Sequence, residues 1–429
     1  MTSYKAALSN ALVFCKRHER VLLAGIFTLG LLIRLPWLGS DFTVTADLPI
    51  LREWSASLQQ EGLVAFYGKT GVRAYPPVST YLFAGAGWLS AKLSNSAVPN
   101  ESLLNALIKL PAILADLATA ALLVRQAAKQ TAVWRILAAT LYLFNPAVWY
   151  VSVYWGQTDA IYVFSLIAAL MLLAHGVVMP AWVYYCLSLG VKLQGLPLLF
   201  LFFVWTVVYN GRRALVKGLA AAGVTALVLI SPWLLNGRLI ELARATISRS
   251  SRVVQSAYNG WYFILGERAG MAGASQAPGF PPISYQIISL FLFLMVVLFV
   301  TILTIRRREQ LSLPVTAVVL TLAAFLFLTD IHERYLFPVL PLLLWAASQR
   351  RRLLWLYLIL TVTWFFNLVT IASFAPDLWT NLVAWKRPYP LHIELLKDAA
   401  WVVSAVHLTI FIWLSHFLIA KSYPPKLST

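Results

Sequence analysis

Long apolar runs separated by short polar segments dominate this chain. A helix that crosses a bilayer needs about 20 mostly apolar residues, and most of the runs approach that length. The pattern predicts twelve transmembrane helices, near residues 21–39, 103–124, 132–152, 160–178, 180–193, 195–210, 214–234, 284–305, 312–329, 336–348, 353–373 and 398–420. The predicted fold class is therefore an all-α polytopic membrane protein, in which residues 1–429 form one integral-membrane domain without a separate soluble domain.

Three longer segments connect the predicted spans, near residues 40–102, 235–283 and 374–397. The first of them contains a helical pattern that should begin at Asp47 and end before Gly62. Leu51, Trp54 and Leu58 recur at helical spacing and predict one apolar face. The second segment also begins as an amphipathic pattern, with arginines between the apolar positions.

The segment 76–93 is apolar enough to suggest a further span, but charge argues against one. Counting it as a crossing would put Arg125, Lys129 and Arg135 on the outer side, against the positive-inside rule. We therefore expect a helix that lies in the exoplasmic interface, with Pro76 in its first turn. Its predicted apolar stripe comprises Val78, Leu82, Leu89 and Leu93.

Charge also predicts the orientation of the chain. There are 34 lysines and arginines against 16 acidic residues, for a net charge of +18. With the N-terminus inside, 18 of these bases and only two acids fall in cytoplasmic segments, which is the bias that orients membrane proteins. This asymmetry explains the basic balance without a nucleic-acid partner. A chain that is 60% hydrophobic and 12% charged is not a soluble globular protein, so we expect function on the exoplasmic segments.

Two polar clusters flank predicted spans on that side. The first, WGQTDA at 155–160, contains Gln157 and Asp159, and its simplest interpretation is a helix cap. The second lies between two short spans and contains Lys192 and Gln194. A lysine at such a place often only snorkels to the membrane surface, so both clusters keep a structural and a functional interpretation.

A third cluster, DIHERY at 330–335, brings His332, Glu333 and Arg334 together between two spans. It is interpreted either as a solvated turn with a local pair between Glu333 and Arg334 or as a site. The density of ionisable groups favours a site.

Two ionisable side chains fall inside the predicted second span. Asp116 lies seven residues after Lys109 on the same helical face, roughly 10 Å away along the axis. The pair is interpreted either as an internal charge pair that holds helices together or as part of a substrate cavity.

A phosphate leaving group would explain this collection of residue types, because an anion that leaves is stabilised by fixed cations. The candidates on the predicted outer side are Lys192, Arg334, His332 and the arginines of 238–252. An incoming hydroxyl then needs a single general base, and Asp41 and Asp47 are the acids nearest the first-segment helices. Asp47 could instead simply cap its helix.

The order of motifs along the chain carries a resemblance. The motifs are an Asp-led helix with Trp54, YPPVSTY at 75–81, ADL at 115–117, FNPAVWYVSVYWGQTDA at 144–160, VKLQ at 191–194, NGW at 259–261 and HERY at 332–335. The set resembles the GT-C superfamily of polytopic glycosyltransferases. It is similar to the bacterial relatives of the GPI-anchor mannosyltransferases and, more distantly, to the endoplasmic-reticulum glucosyltransferases that use a dolichyl-phosphate glucose donor.

The resemblance implies an inverting transfer of mannose or glucose from a polyprenyl-phosphate donor to a lipid-linked or glycan acceptor outside the cytoplasm. Asp47, or else Asp41, would be the catalytic base. The implied substrate-binding residues are Arg334, His332, Lys192, Gln194, Asp159, Gln157, Asn259, Glu333 and Tyr75. In the glucosyltransferases an acid immediately before YPP acts as the base. In this chain Ala74 occupies that position. Either one of the first-segment acids, Asp47 or Asp41, is then the base, or the YPP motif is only structural here.

The scheme predicts no cofactor, and a divalent metal is compatible with it but not demanded, since fixed cations can do the same work. The expected partners are the lipid-linked donor, the acceptor and membrane lipid, in a prokaryotic plasma membrane with the site facing outward. Two alternatives stay open. A twelve-span transporter is disfavoured because no internal repeat is visible, and a polymerase or ligase of lipid-linked glycans would also suit an arginine-rich outer segment.

Overall fold

A computed structural model describes residues 12–41, 47–68, 75–95, 100–247, 252–279, 282–370 and 393–420. The labelled helices are α1 Glu19–Leu32, α2 Asp47–Glu61, α3 Pro77–Ser94, α4 Glu101–Gln126, α5 Ala132–Leu143, α6 Pro146–Trp149, α7 Asp159–Ala174, α8 Val178–Val191, α9 Leu199–Asn210, α10 Arg212–Leu235, α11 Leu239–Ile247, α12 Gly260–Leu265, α13 Arg268–Met271, α14 Tyr285–Arg306, α15 Leu313–Phe327, α16 Val339–Gln349, α17 Leu354–Thr370 and α18 Ile393–Ile419. Two short strands, β1 Val254–Gln255 and β2 Ile331–His332, pair in parallel.

Each predicted span coincides with a helix or a pair of helices, which confirms a nearly all-α membrane protein. Within the described residues, seven segments are long and apolar enough to cross a membrane alone: Glu19–Trp37, Glu101–Gln126, Leu193–Asn210, Arg212–Leu235, Tyr285–Arg306, Arg351–Thr370 and Asp398–Ile419. An eighth crossing is formed if α5 and the segment Pro146–Tyr154, which meet at a 43° bend, count as one. Helices α7, α8, α15 and α16 are shorter, so the number twelve stays a prediction.

The short and long helices occupy different places. Almost every side chain of α15 is buried, and most of those of α7 and α16 are buried too. On α10, by contrast, only Gly218 and Trp233 are buried. A helix that is apolar all round can lie in a protein core or against lipid, and here the short ones form the centre while α10 and α14 form the periphery.

The first outer segment folds largely as its pattern predicts. Helix α2 begins at Asp47, buries Leu51, Trp54 and Leu58, and is followed by Gly62 with φ +80°. Helix α3 confirms the predicted helix at 76–93.

The stripe predicted for α3 is not the face that packs on the protein, so its position in the membrane interface stays a prediction. The helix buries its small side and Phe83 instead, and Leu93 is 62% exposed. The reason is close packing on α2: a Cβ on Gly87 would stand 2.2 Å from the carbonyl oxygen of Ser55. Small residues let two helices approach more closely than leucines would.

The helices are interrupted at two places next to the candidate site, after α5 and after α8. Asn145 accepts hydrogen bonds from the backbone of Ala147 and Val148 and donates to Tyr357 and Thr361 on α17. After α6 the chain passes through one π-helical turn, Tyr150–Tyr154, a feature frequent at functional sites. The second break follows α8, which ends at Val191; the next residues turn through the 3₁₀ segment Leu193–Leu198 into α9.

The charge pair expected between Lys109 and Asp116 is not formed. Asp116 pairs with Arg34 at 3.4 Å and accepts a 2.6 Å hydrogen bond from Ser152. Lys109 instead donates to the backbone carbonyls of Trp37 and Ser40, both at 3.0 Å. Helical spacing places the two residues on one face of α4. Each nevertheless contacts a group from the first span or the residues just after it, because that group lies closer.

Candidate active site

Asp47 lies at the start of α2 and faces the turn between the π-helical segment and α7. Its Oδ2 atom accepts a 3.0 Å hydrogen bond from Trp155 Nε1 and a 2.7 Å hydrogen bond from Gln157 Nε2. Gly156, between these two donors, has φ +76°, and a Cβ there would lie 3.1 Å from the side chain of Lys109. A glycine is therefore required for the turn that presents both donors to the carboxylate.

Gln157 connects Asp47 with the cations of the site. Its Oε1 atom accepts from Lys192 Nζ at 3.3 Å and from the hydroxyl of Tyr75 at 3.4 Å. The resemblance implied that Gln157 binds substrate; the structure places it between the candidate base and Lys192. Both ends of its amide are engaged, so its orientation is fixed.

Asp159 is fully buried and lies between two cations. Lys192 Nζ donates to its Oδ2 atom at 2.6 Å, and Arg334 Nε stands 3.9 Å from the same atom. Asp159 is the first residue of α7, and Thr158, not Asp159, occupies the cap position. The capping interpretation of Asp159 is therefore wrong: its carboxylate serves to hold Lys192 and Arg334 in place.

Arg334 and Glu333 form the local pair that the sequence suggested, but in a buried rather than a solvated setting. Arg334 Nη1 lies 3.1 Å from Glu333 Oε1, and the guanidinium lies 5.2 Å from the centre of the Trp155 ring. Glu333 Oε2 is buried and has no hydrogen-bond partner in the described part of the chain. Burial raises the pKa of Glu333 to about 7, with Asp47 adding to the rise and Arg334 opposing it.

His332 lies on β2, whose pairing with β1 fixes its backbone. Its Nδ1 atom is 3.9 Å from Glu333 Oε2. Burial lowers the pKa of His332 well below that of an ordinary imidazole, and the positive charges of Arg334 and Lys192 lower it further. The lowered pKa favours the neutral imidazole in this cavity, and the expected contact of His332 with a donor phosphate stays a prediction.

Several of these side chains line one cavity of about 580 Å³, whereas Gln157, Asp159 and Glu333 stand behind its lining and contact the residues that form it. Asp47, Tyr75, Lys192, His332 and Arg334 stand at its polar part. Gln194 also lines the cavity, and its Oε1 atom is buried without a hydrogen-bond partner among the described residues.

A large part of the remaining cavity wall is apolar. It is formed by Leu196, Phe200, Leu290, Phe293 and Leu328, contributed by the 3₁₀ segment before α9, by α9, by α14 and by the end of α15. Phe200 is 44% exposed and Leu290 is 51% exposed, so this part of the wall reaches the outer surface of the helices. Both α9 and α14 belong to segments that are long and apolar enough to span a membrane.

Two other predicted site residues, Asp41 and Asn259, neither line the cavity nor contact its polar residues among those that the structure describes. Asp41 is 67% exposed and accepts hydrogen bonds from Arg52 at 2.9 Å and from Asn105 at 2.5 Å. Asn259 is fully buried, caps α12 through the backbone of Trp261 and Tyr262, and donates to the carbonyl of Phe325. Asn259 thus fixes the start of α12, and its implied contact with substrate stays a prediction.

Other predicted elements are also placed outside the site. Within the described residues, Arg238, Arg244 and Arg252 do not line the cavity. Ala74, Arg249 and most of the segment 374–397 lie outside the residues that the structure describes. The sequence did not predict the contact of Trp155 with Asp47, because the two residues are far apart along the chain.

The described residues contain no group of three or more histidine, cysteine, aspartate or glutamate side chains that could hold a metal ion. Comparison with known proteins gives no match: no protein-family model fits the chain, and no curated protein is similar to it at a significant level.

Proposed function

We propose that this protein is an integral-membrane glycosyltransferase that transfers a hexose, mannose or glucose, from a polyprenyl-phosphate donor to an acceptor on the exoplasmic side. The observation that carries the proposal is the composition of the cavity. One end holds Asp47 with Lys192 and Arg334, and the other is an apolar wall between α9 and α14. A polyprenyl-phosphate sugar has the matching division into a charged head and a hydrocarbon tail.

The residues at the polar end suit a displacement at the sugar C1 atom. The acceptor hydroxyl oxygen forms a bond to C1 while its proton passes to Asp47. The bond from C1 to the phosphate oxygen breaks, and its electron pair leaves with the polyprenyl phosphate. Only one base is needed, because phosphate leaves as a stable anion, whereas glycoside hydrolysis usually takes two carboxylates.

Lys192 and Arg334 would stabilise the phosphate. Both are held by Asp159, and Arg334 also by Glu333, so neither cation has to be ordered when the donor arrives. Preorganised charge of this kind is the usual source of stabilisation for a developing anion. His332 and Gln194 offer neutral hydrogen-bonding groups beside them.

The proposal extends to the setting of the reaction. The positive-inside bias supports an exoplasmic site in a plasma membrane. The donor would enter sideways from the bilayer, and the acceptor would be a lipid-linked or free glycan. The scheme needs no metal, because two fixed cations face the cavity.

The test is a reconstituted assay. Purified full-length protein in lipid nanodiscs is supplied with radiolabelled undecaprenyl-phosphate mannose or glucose and with glycolipids extracted from the source membrane. Release of undecaprenyl phosphate together with labelled glycan supports the proposal. Turnover only of diphosphate-linked oligosaccharides would instead identify a polymerase or ligase, and inertness with solute uptake in vesicles would identify a transporter.

A further inference from the structure

Helix α11 has two apolar faces, and only one of them is covered by the protein. Leu242 is buried on the inner side. On the opposite side Ile240 is 66% exposed and Ile247 is 68% exposed, with Ala243 and Arg244 exposed between them. These four positions follow the spacing of a single helical face, so the exposure is a property of the face and not of scattered side chains.

The depth of α11 is set by hydrogen bonds to the preceding span. The backbone of Arg238 donates to the carbonyl of Trp233 at 2.8 Å, and that of Gly237 donates to Leu234 at 3.3 Å. Gly237 has φ +68°, which permits this tight turn at a helix end. Helix α11 therefore begins within one turn of the end of α10, and Leu235, at that end, is 83% exposed. A helix attached there lies at the level where a spanning segment leaves the hydrocarbon.

The inner side of α11 belongs to the wall of the cavity. Thr246 lines the cavity, and its Oγ1 atom is buried without a hydrogen-bond partner in the described part of the chain. Arg244, on the outer side, shares an open groove of the surface with Ile240, Ala243 and Ile247. Helix α11 thus separates the cavity on its inner side from the surroundings of the protein on its outer side.

We propose that α11 lies in the headgroup region of the outer leaflet, with Ile240, Ala243 and Ile247 among the upper acyl chains and Arg244 bound to the phosphate of an anionic phospholipid. An apolar stripe with a cation beside it, at the level of a span end, is the arrangement of interfacial helices. Arginine supplies the planar donors that suit phosphate oxygens. The proposal concerns the membrane side of the protein and holds whether or not the cavity transfers sugar.

The test measures the depth of α11 directly. Ile240→Cys and Ile247→Cys, each in full-length protein with Cys15→Ser and Cys186→Ser, are labelled with bimane and placed in phosphatidylcholine nanodiscs. Ser275→Cys, an exposed position in the polar stretch after α13, is the matched control. We expect quenching by 5-doxyl phosphatidylcholine to exceed quenching by aqueous iodide at least roughly threefold at the two α11 positions, with the order reversed at Ser275. Iodide quenching of all three labels would overturn the proposal.

A second measurement isolates Arg244. Replacing part of the phosphatidylcholine by phosphatidylglycerol should shift the emission of the Ile247 label further to the blue. Arg244→Gln should remove this dependence on lipid charge while leaving lipid quenching in pure phosphatidylcholine unchanged. The same dependence in both proteins would show that Arg244 does not bind the lipid phosphate.

Discussion

The chain buries charged side chains in two places, and they differ in what surrounds them. Arg34 and Asp116 pair inside the helix bundle, where Ser152 donates to the same carboxylate oxygen and both side chains are fully buried. Around Asp159, by contrast, a connected series of charges borders an open cavity. A buried charge alone therefore does not mark a site; a buried charge beside free volume does.

The two places also differ in how the charges are connected. The first holds one acid and one base, which together fasten the first span to α4. The second links Asp47 through Gln157 to Lys192, and Asp159 to both Lys192 and Arg334. Substitutions in the first place should therefore affect stability, and those in the second should affect chemistry.

The largest expected effect is that of Asp47→Asn. A positioned carboxylate base contributes roughly a hundred- to ten-thousand-fold in rate, and we expect a loss of hexose transfer in that range. Trp155 and Gln157 both donate to a single oxygen of Asp47, so the amide oxygen of Asn can accept both and the fold should persist. Transfer in nanodiscs is the measurement.

Asp41→Asn is the matched control, since Asp41 does not line the cavity and its own side chain is 67% exposed. It should turn over nearly normally. Normal turnover by Asp47→Asn and an inactive Asp41→Asn would reverse the two roles.

Substitutions in the Arg34 and Asp116 pair should lower stability and leave donor binding unchanged. Asp116→Leu leaves Arg34 buried without its partner, and breaking a buried pair costs about 3–5 kcal/mol. We expect a clear drop in the thermal stability of the detergent-solubilised protein. The double variant Arg34→Met with Asp116→Leu should recover much of the loss, and its donor affinity should equal that of the unmodified protein. Loss of donor binding in a stable double variant would make this pair part of the site.

The raised pKa of Glu333 predicts that the stability of the protein depends on pH. That pKa is about 7 in the folded protein, against an ordinary value of 4.5, so the folded state binds the extra proton. The stability that this proton contributes is fully present below pH 4.5 and is lost as the pH rises through about 7. Between pH 5 and pH 8 we expect the free energy of unfolding to fall by up to about 3 kcal/mol. The melting temperature should fall with it.

Glu333→Gln is uncharged at every pH and should flatten that part of the stability profile. Melting curves in one detergent across this pH range provide the comparison. An equal slope in both proteins would assign the effect to another group.

The smallest of the expected effects concerns Arg334. A charge-assisted hydrogen bond to phosphate contributes about 1.5–3 kcal/mol, so Arg334→Ala should weaken donor binding by roughly ten- to a hundredfold. The same change also leaves Glu333 and Asp159 without a cation they contact. Arg334→Lys, which keeps the charge but not the fork of donors, should retain part of the affinity.

Equilibrium binding of undecaprenyl-phosphate glucose in nanodiscs measures this effect. Unchanged donor affinity in Arg334→Ala would place the phosphate elsewhere in the cavity, with Lys192 as the remaining cation.

Local patterns predicted the helices well. Hydropathy located the helices that coincide with the predicted spans, and the start of α2 at Asp47, its buried Leu51 and Trp54, and its end before Gly62 agree with the structure. These features depend on neighbours within a few positions along the chain, which the sequence displays directly. Which side of α3 packs on the protein was not predicted, because that burial depends on the close approach of α2.

The sequence by itself determined that this is a helical membrane protein and which polar residues are candidates for chemistry. Only the tertiary structure decided that Asp47 meets Trp155 and Gln157, that Asp159 holds Lys192 and Arg334, and that Asp116 pairs with Arg34 rather than with Lys109. Hydropathy is a sum over local residues, whereas a charge buried in a bundle is satisfied by whichever group the packing of distant helices brings within reach.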